Sequence, residues 1–110
     1  APDALSLREG GPRRFSDWEA SFVDGAGGKS VTERMWQRMQ AVVDGAITVT
    51  LDPVRDAMRL IAEKSRTVAE GAGALSLAAA LTGEAGEGPI VCVVSGGNID
   101  LERFADLVTR

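Results

Sequence analysis

The apolar positions of this chain change period several times, and each change marks an element. From Ser30 onward Val31, Met35, Met39 and Val42 recur at three- and four-residue spacing, with Trp36 and Val43 widening the stripe. That period predicts an amphipathic helix, opened by the capping box Ser30-Val31-Thr32-Glu33 and stopped by Gly45. Between Ala46 and Leu51 the pattern becomes alternation, with Ile47, Val49 and Leu51 against two threonines, which predicts a half-exposed edge strand. Asp52-Pro53 reads as an N-cap followed by proline at the first helical position. The buried face of that helix is Val54, Ala57, Met58 and Ile61, and its end falls near Arg66.

After Gly73 the residues Ala74 to Leu81 are apolar on nearly every side, which predicts a helix buried between other elements and ended by Gly83. Ile90-Val91-Cys92-Val93-Val94 is an unbroken apolar run in which only Cys92 is not β-branched. Such a run suits a strand covered on both faces in a parallel sheet. A last helix follows, with Leu101, Phe104, Ala105 and Val108 on one stripe and Asn98 or Asp100 as its cap. Residues 1 to 20 carry no such period and read as mostly irregular, broken at Gly10-Gly11-Pro12.

The order helix, strand, helix, helix, strand, helix implies an α/β fold: part of a parallel, three-layer sheet domain with helices on both faces. Two firm strands are too few for a sheet buried on both faces. The domain is therefore expected to be incomplete on its own, with further strands coming from another segment or another chain.

Composition narrows the function classes. The chain has 110 residues, 45% hydrophobic and 25% charged, as in an ordinary globular protein. A net charge of -4 without a basic run argues against nucleic acid and against an anionic membrane surface. No apolar run is long enough to span a bilayer. The absence of histidine removes Ser-His and Cys-His nucleophile pairs and His-based zinc sites. Cys92, the single cysteine, lies within the apolar run and reads as a packed thiol, which fits a reducing, cytoplasmic setting.

The candidate chemistry sits at Ser95-Gly96-Gly97-Asn98, where the apolar run turns into a helix. Open α/β sheets bind ligands at the carboxyl ends of their strands. Glycines let a flat ligand approach the backbone closely, and Ser95 offers a hydroxyl that both donates and accepts. The alternative for this cluster is a plain strand-to-helix turn. A decoy lies upstream: Gly25-Ala26-Gly27-Gly28-Lys29-Ser30 imitates a phosphate-binding loop, but the motif needs a glycine where Val23 stands and a buried strand before it.

Val68-Ala69-Glu70-Gly71-Ala72-Gly73-Ala74 before a small-residue helix, paired with Ser95-Gly96-Gly97-Asn98-Ile99-Asp100 after a valine-rich run, resembles the carboxyl-terminal part of the threonine/serine dehydratases. These are pyridoxal-phosphate enzymes of fold type II, and serine racemase is similar over the same region. Ala1-Pro2 and Val23-Asp24-Gly25 match further landmarks in order. The resemblance implies that residues 1–110 are the carboxyl-terminal segment of such a catalytic domain. It implies a hydrogen bond from Ser95 to the pyridine nitrogen of the cofactor, with Gly96 and Asn98 in the same cofactor-binding loop. It sets Glu70 beside cofactor and substrate, and Asp24-Gly25 on the wall of the site. Ala1 and Asp3 match two oxygen ligands of a monovalent or divalent cation site found in some relatives. The glutamate that completes that set lies upstream of the Ala1 position, and two ligands hold a hard cation poorly.

The family's cofactor-bonding lysine and glycine-rich phosphate cradle also lie upstream. Only Lys29 and Lys64 occur here, and neither is in the lysine motif. An opening on Ala-Pro-Asp without methionine suggests a cut. The expectation is therefore a fragment, inactive alone, of an enzyme turning threonine or serine into a 2-oxo acid and ammonia. Its partners would be the missing amino-terminal segment of the same enzyme, further copies in a homo-oligomer, and a small amino-acid substrate. A serine racemase-like enzyme and a non-catalytic α/β binding or assembly module are the alternatives.

Overall fold

The computed structural model describes residues 2–26 and 28–110, with side chains from Ala4 onward. The chain divides into two compact units, Ala1–Thr48 and Val49–Arg110.

The first unit opens on helix α1 (Pro2–Glu9), where the sequence pattern suggested irregular chain. Proline at the start of a helix costs no hydrogen bond, because the first amides lack an intrahelical partner. Its end is fixed by Gly10, at φ +74°. The amides of Gly10 and Gly11 both donate to the Ser6 carbonyl, at 2.9 and 3.2 Å. Ser6 is fully buried, and its hydroxyl accepts from the Arg13 amide at 2.9 Å. A polar residue thus anchors the turn, which is why no apolar period announced it.

Phe15 N–H donates to the Lys29 carbonyl at 2.7 Å and Val31 N–H to the Arg13 carbonyl at 2.9 Å, around an antiparallel bridge between Arg14 and Ser30. That bridge takes Ser30 out of the capping position. Helix α2 (Glu33–Val42) starts two residues later than a Ser30 cap would give, with Thr32 accepting from the Met35 amide at 3.3 Å. It ends at Val42, before Gly45. Val31 and Trp36 are buried, whereas Met35, Val42 and Val43 are exposed, so the apolar face is narrower than expected.

The second unit is built on α3 (Leu51–Ser65). Thr50 is the N-cap, so Pro53 falls third in the helix rather than first, still within the turn whose amides are unpaired. Arg66 closes it in the left-handed region at φ +55°. Val54, Ala57, Met58 and Ile61 are all buried, as their spacing requires. Against them pack α4 (Gly71–Leu81) and α5 (Leu101–Val108). Gly71, Gly73, Ala74 and Ala78 form the buried side of α4, while Leu75 and Leu77 are half-buried and Leu81 is exposed. Burial on every side is thus not reached within this unit. Asp100 caps α5, its carboxylate accepting from the amides of Glu102 and Arg103 at 3.0 and 3.1 Å. The seam of α5 is Phe104, Leu107 and Val108. Leu101 is 71% exposed, so the stripe is rotated from the one expected.

No strand occurs among the described residues, and the expected parallel sheet is not formed there. Ile47 and Val49 keep their alternation with exposed threonines but pair with nothing described, and Leu51 is drawn into α3. Ile90 to Val94 has no ladder either, and Val91 and Val93 are 89% and 69% exposed. The reason is physical: β-structure is a property of a pair, and a run with the right residues stays unclassified until a second chain segment offers its amides and carbonyls. Ser76 of α4 supplies one substitute, its hydroxyl donating to the Val93 carbonyl at 2.8 Å. Cys92 is a half-buried thiol, 3.6 Å from the Ser76 carbonyl, in keeping with a packing role. No helix among the described residues is long and apolar enough to cross a membrane.

Candidate functional site

Two stretches widely separated in sequence meet in the second unit. The turn Val68 to Glu70 leads into α4, and the loop Ser95 to Asn98 leads into α5. Ala69, fully buried, fixes the turn from below. The Glu70 amide donates to the Gly96 carbonyl at 3.1 Å. The backbones touch so closely that side chains are excluded. A Cβ at Gly73 would strike the Gly96 carbonyl oxygen, and one at Gly96 would strike Glu70 Oε1. Gly97 is pressed in the same way against the Val68 carbonyl oxygen. Beyond it, Ile99 N–H donates back to the Gly97 carbonyl at 2.9 Å and Asp100 caps α5. The loop is therefore held by Ser76 before it, by the Glu70 turn along it and by a helix cap after it.

This clasp brings together Glu70, Ser95, Gly96 and Asn98 of the expected site residues. The Ser95 hydroxyl and the Asn98 amide are exposed and the Glu70 carboxylate is partly so. None of these three side chains makes a hydrogen bond with another described residue. A hydroxyl, an amide and a carboxylate with unused hydrogen-bonding capacity thus surround a backbone without side chains. Such a surface can hold a flat polar ring by its edge.

The remaining expected residues lie elsewhere. Asp24 and Gly25 belong to a short 3-10 turn (Asp24–Ala26) of the first unit, and both are exposed. Ala1 lies outside the described residues, as does the side chain of Asp3. No cluster of three or more acidic, cysteine or histidine residues suited to a metal ion occurs among the described residues. Lys29 holds its ammonium 4.4 Å from the centre of the Trp18 ring, a cation–π contact that gives it a structural use. Ser76 was not picked out from sequence, and Val68, Gly73 and Gly97 were quoted there only as letters of the two motifs, with no contact expected of them.

Residues 2–96 match the family model for pyridoxal-phosphate dependent enzymes. The chain is 32% identical over 95 residues to the catabolic L-threonine dehydratase TdcB of Staphylococcus aureus (strain USA300), covering 82% of this chain and 28% of that protein. It superposes on the crystal structure of the T.th. threonine deaminase with a TM-score of 0.84 at 32% identity, over 91% of this chain and 34% of the other. The processed form of threonine deaminase isoform 2 from Solanum lycopersicum gives a TM-score of 0.86 at 26% identity, over 99% and 33%. These neighbours agree with the fold type II reading, although its sheet has no counterpart among the residues described here. The chain thus spans about a third of the length of proteins that it follows closely in backbone course, and it belongs to the pyridoxal-phosphate dependent enzyme family.

Proposed function

We propose that this chain supplies the loop facing the pyridine ring in an enzyme that dehydrates threonine or serine to a 2-oxo acid and ammonia with pyridoxal 5'-phosphate. The observation that carries the reading is the unpartnered Ser95 hydroxyl on a loop clasped to the Glu70 turn. The dehydratase and deaminase names of the relatives supply the substrate class.

The residues fit the cofactor. A pyridine nitrogen accepts one hydrogen bond, and the Ser95 hydroxyl is free to donate it. Gly96 and Gly97 let the loop seat closely on the Glu70 turn, where Cβ atoms would strike Glu70 Oε1 and the Val68 carbonyl oxygen, and so hold Ser95 in place beside the ring. Bound there, the cofactor supplies the electron sink that stabilises negative charge at the substrate's α-carbon. Ser95, being neutral, does not hold a proton firmly on the ring nitrogen, which keeps that sink shallow and favours loss of a β-hydroxyl over transamination. Asn98 and the Glu70 carboxylate orient cofactor and substrate. Asp24 and Gly25 form part of the wall, and Ala1 and Asp3 contribute to a cation site completed by residues outside this chain. The cofactor-bonding lysine and phosphate cradle belong to the missing amino-terminal segment, so the 110 residues alone are inactive. The complete enzyme is a homo-oligomer.

The test uses that complete enzyme. Ser95→Ala weakens cofactor binding roughly three- to tenfold, the value of one neutral hydrogen bond, without unfolding the protein. Ser95→Asp holds a proton on the ring nitrogen, slows formation of 2-oxobutanoate from threonine and raises the pyridoxamine side product. Both products, the cofactor affinity and its absorption spectrum are measured. Two variants indistinguishable from wild type in all of these would reduce Ser95 to a turn residue.

A further inference from the structure

We propose that Gly73, on the first turn of α4, is a positioning residue for the Ser95 loop. Through the Gly96 carbonyl it sets how deeply that loop seats on the Glu70 turn, and so where the Ser95 hydroxyl stands relative to the cofactor. This rests on the reading of Ser95 as the cofactor's partner. Gly73 is buried, and a Cβ there would meet the carbonyl oxygen of Gly96 and crowd its amide nitrogen, at 3.1 Å from the latter. The same carbonyl accepts the Glu70 amide at 3.1 Å. One oxygen atom is thus both the obstacle that excludes a side chain from α4 and the acceptor that fastens the loop. The obstacle is backbone, which cannot swing aside as the end of a side chain does. Adding a methyl group at residue 73 must lift Gly96, lengthen its bond to Glu70 and carry Ser95 with it. A glycine retained merely as part of a helix behaves in the opposite sense, since alanine in a helix interior is more favourable than glycine.

The experiment compares Gly73→Ala with wild type in the complete enzyme. It measures the dissociation constant for pyridoxal phosphate, the visible circular dichroism of the bound cofactor, and the melting temperature of the cofactor-free form. The expected result is a dissociation constant raised by about three- to tenfold, as far as losing the Ser95 hydrogen bond itself would raise it, together with a diminished visible signal. An unchanged dissociation constant and spectrum would overturn the proposal, whatever happens to the melting temperature. If Gly73→Ala does not fold, the clasp is opened from its other side. Glu70 has φ −75°, which proline shares, so Glu70→Pro differs from Glu70→Ala chiefly in lacking the amide that bonds Gly96. Glu70→Pro is expected to bind the cofactor about tenfold more weakly than Glu70→Ala; equal affinities would sink the idea. A wild-type enzyme that binds no pyridoxal phosphate would instead refute the function on which this inference rests.

Discussion

Helix α3 and the run Ile90–Val94 are both rich in apolar residues, and they come to opposite ends. In α3 the stripe Val54, Ala57, Met58 and Ile61 is buried between α4 and α5. In the run, Val91 and Val93 face outward, and among the described residues the Val93 carbonyl is met only by a serine hydroxyl from α4. The difference lies in where each element finds its hydrogen bonds. A helix satisfies its amides within itself and needs neighbours only for its apolar side. A strand needs neighbours for its backbone as well as for both faces. A short piece of an α/β protein therefore keeps its helices packed and leaves its central strand uncovered. That agrees with a chain that spans about a third of its relatives.

The contrast can be broken by substitution. Met58→Ala should have the largest effect, destabilising the second unit by about 2–5 kcal/mol through lost burial and an unfilled cavity. Chemical denaturation followed by far-ultraviolet circular dichroism measures it, and a loss near zero would show that α3 is not the centre of that unit. Asp100→Ala should come next, at about 1 kcal/mol, because two amides at the start of α5 lose their acceptor. If Asp100→Asn recovers most of that loss, the carboxylate acts as a cap and not through its charge. Val91→Ala should be the smallest, within about 0.5 kcal/mol in this chain, since the side chain is exposed. In the complete enzyme the same change should cost roughly 1.5 kcal/mol, the transfer energy of two buried carbons. Equal costs in the two contexts would mean that nothing covers the run, and the comparison with α3 would lose its explanation.

How far the sequence carried depended on whether an element's signal is local. The period of Val54, Ala57, Met58 and Ile61 was legible because α3 displays its packing face in its own residues, whereas the small-residue run of α4 announced a helix but not which of its sides is buried. Helix α1 was not, since its buried anchor is Ser6, whose hydroxyl accepts one hydrogen bond from the Arg13 amide that no hydrophobic pattern encodes. Ile90–Val94 displays β-type residues, but whether a ladder forms depends on a partner outside the run, and none is present among the described residues. The meeting of Glu70 with Gly96 was expected only through the resemblance to a family. Nothing in either stretch alone states that Gly73 and Gly97 are empty of side chains because carbonyl oxygens stand in the way.

The seam between the two stretches also dictates how the chain can vary. At residues 73 and 97 the obstacle is a backbone oxygen, so the permitted alphabet shrinks to one letter whatever stands nearby. At residue 96 the obstacle is the mobile end of the Glu70 side chain, so the alphabet there depends on what occupies residue 70. A saturation library should therefore recover glycine alone at 73 and 97. At 70 and 96 it should recover linked substitutions, with alanine or serine entering at 96 only alongside a shorter residue at 70. Two adjacent glycines, identical on paper, would then carry different histories: one fixed outright, the other tied to a single partner.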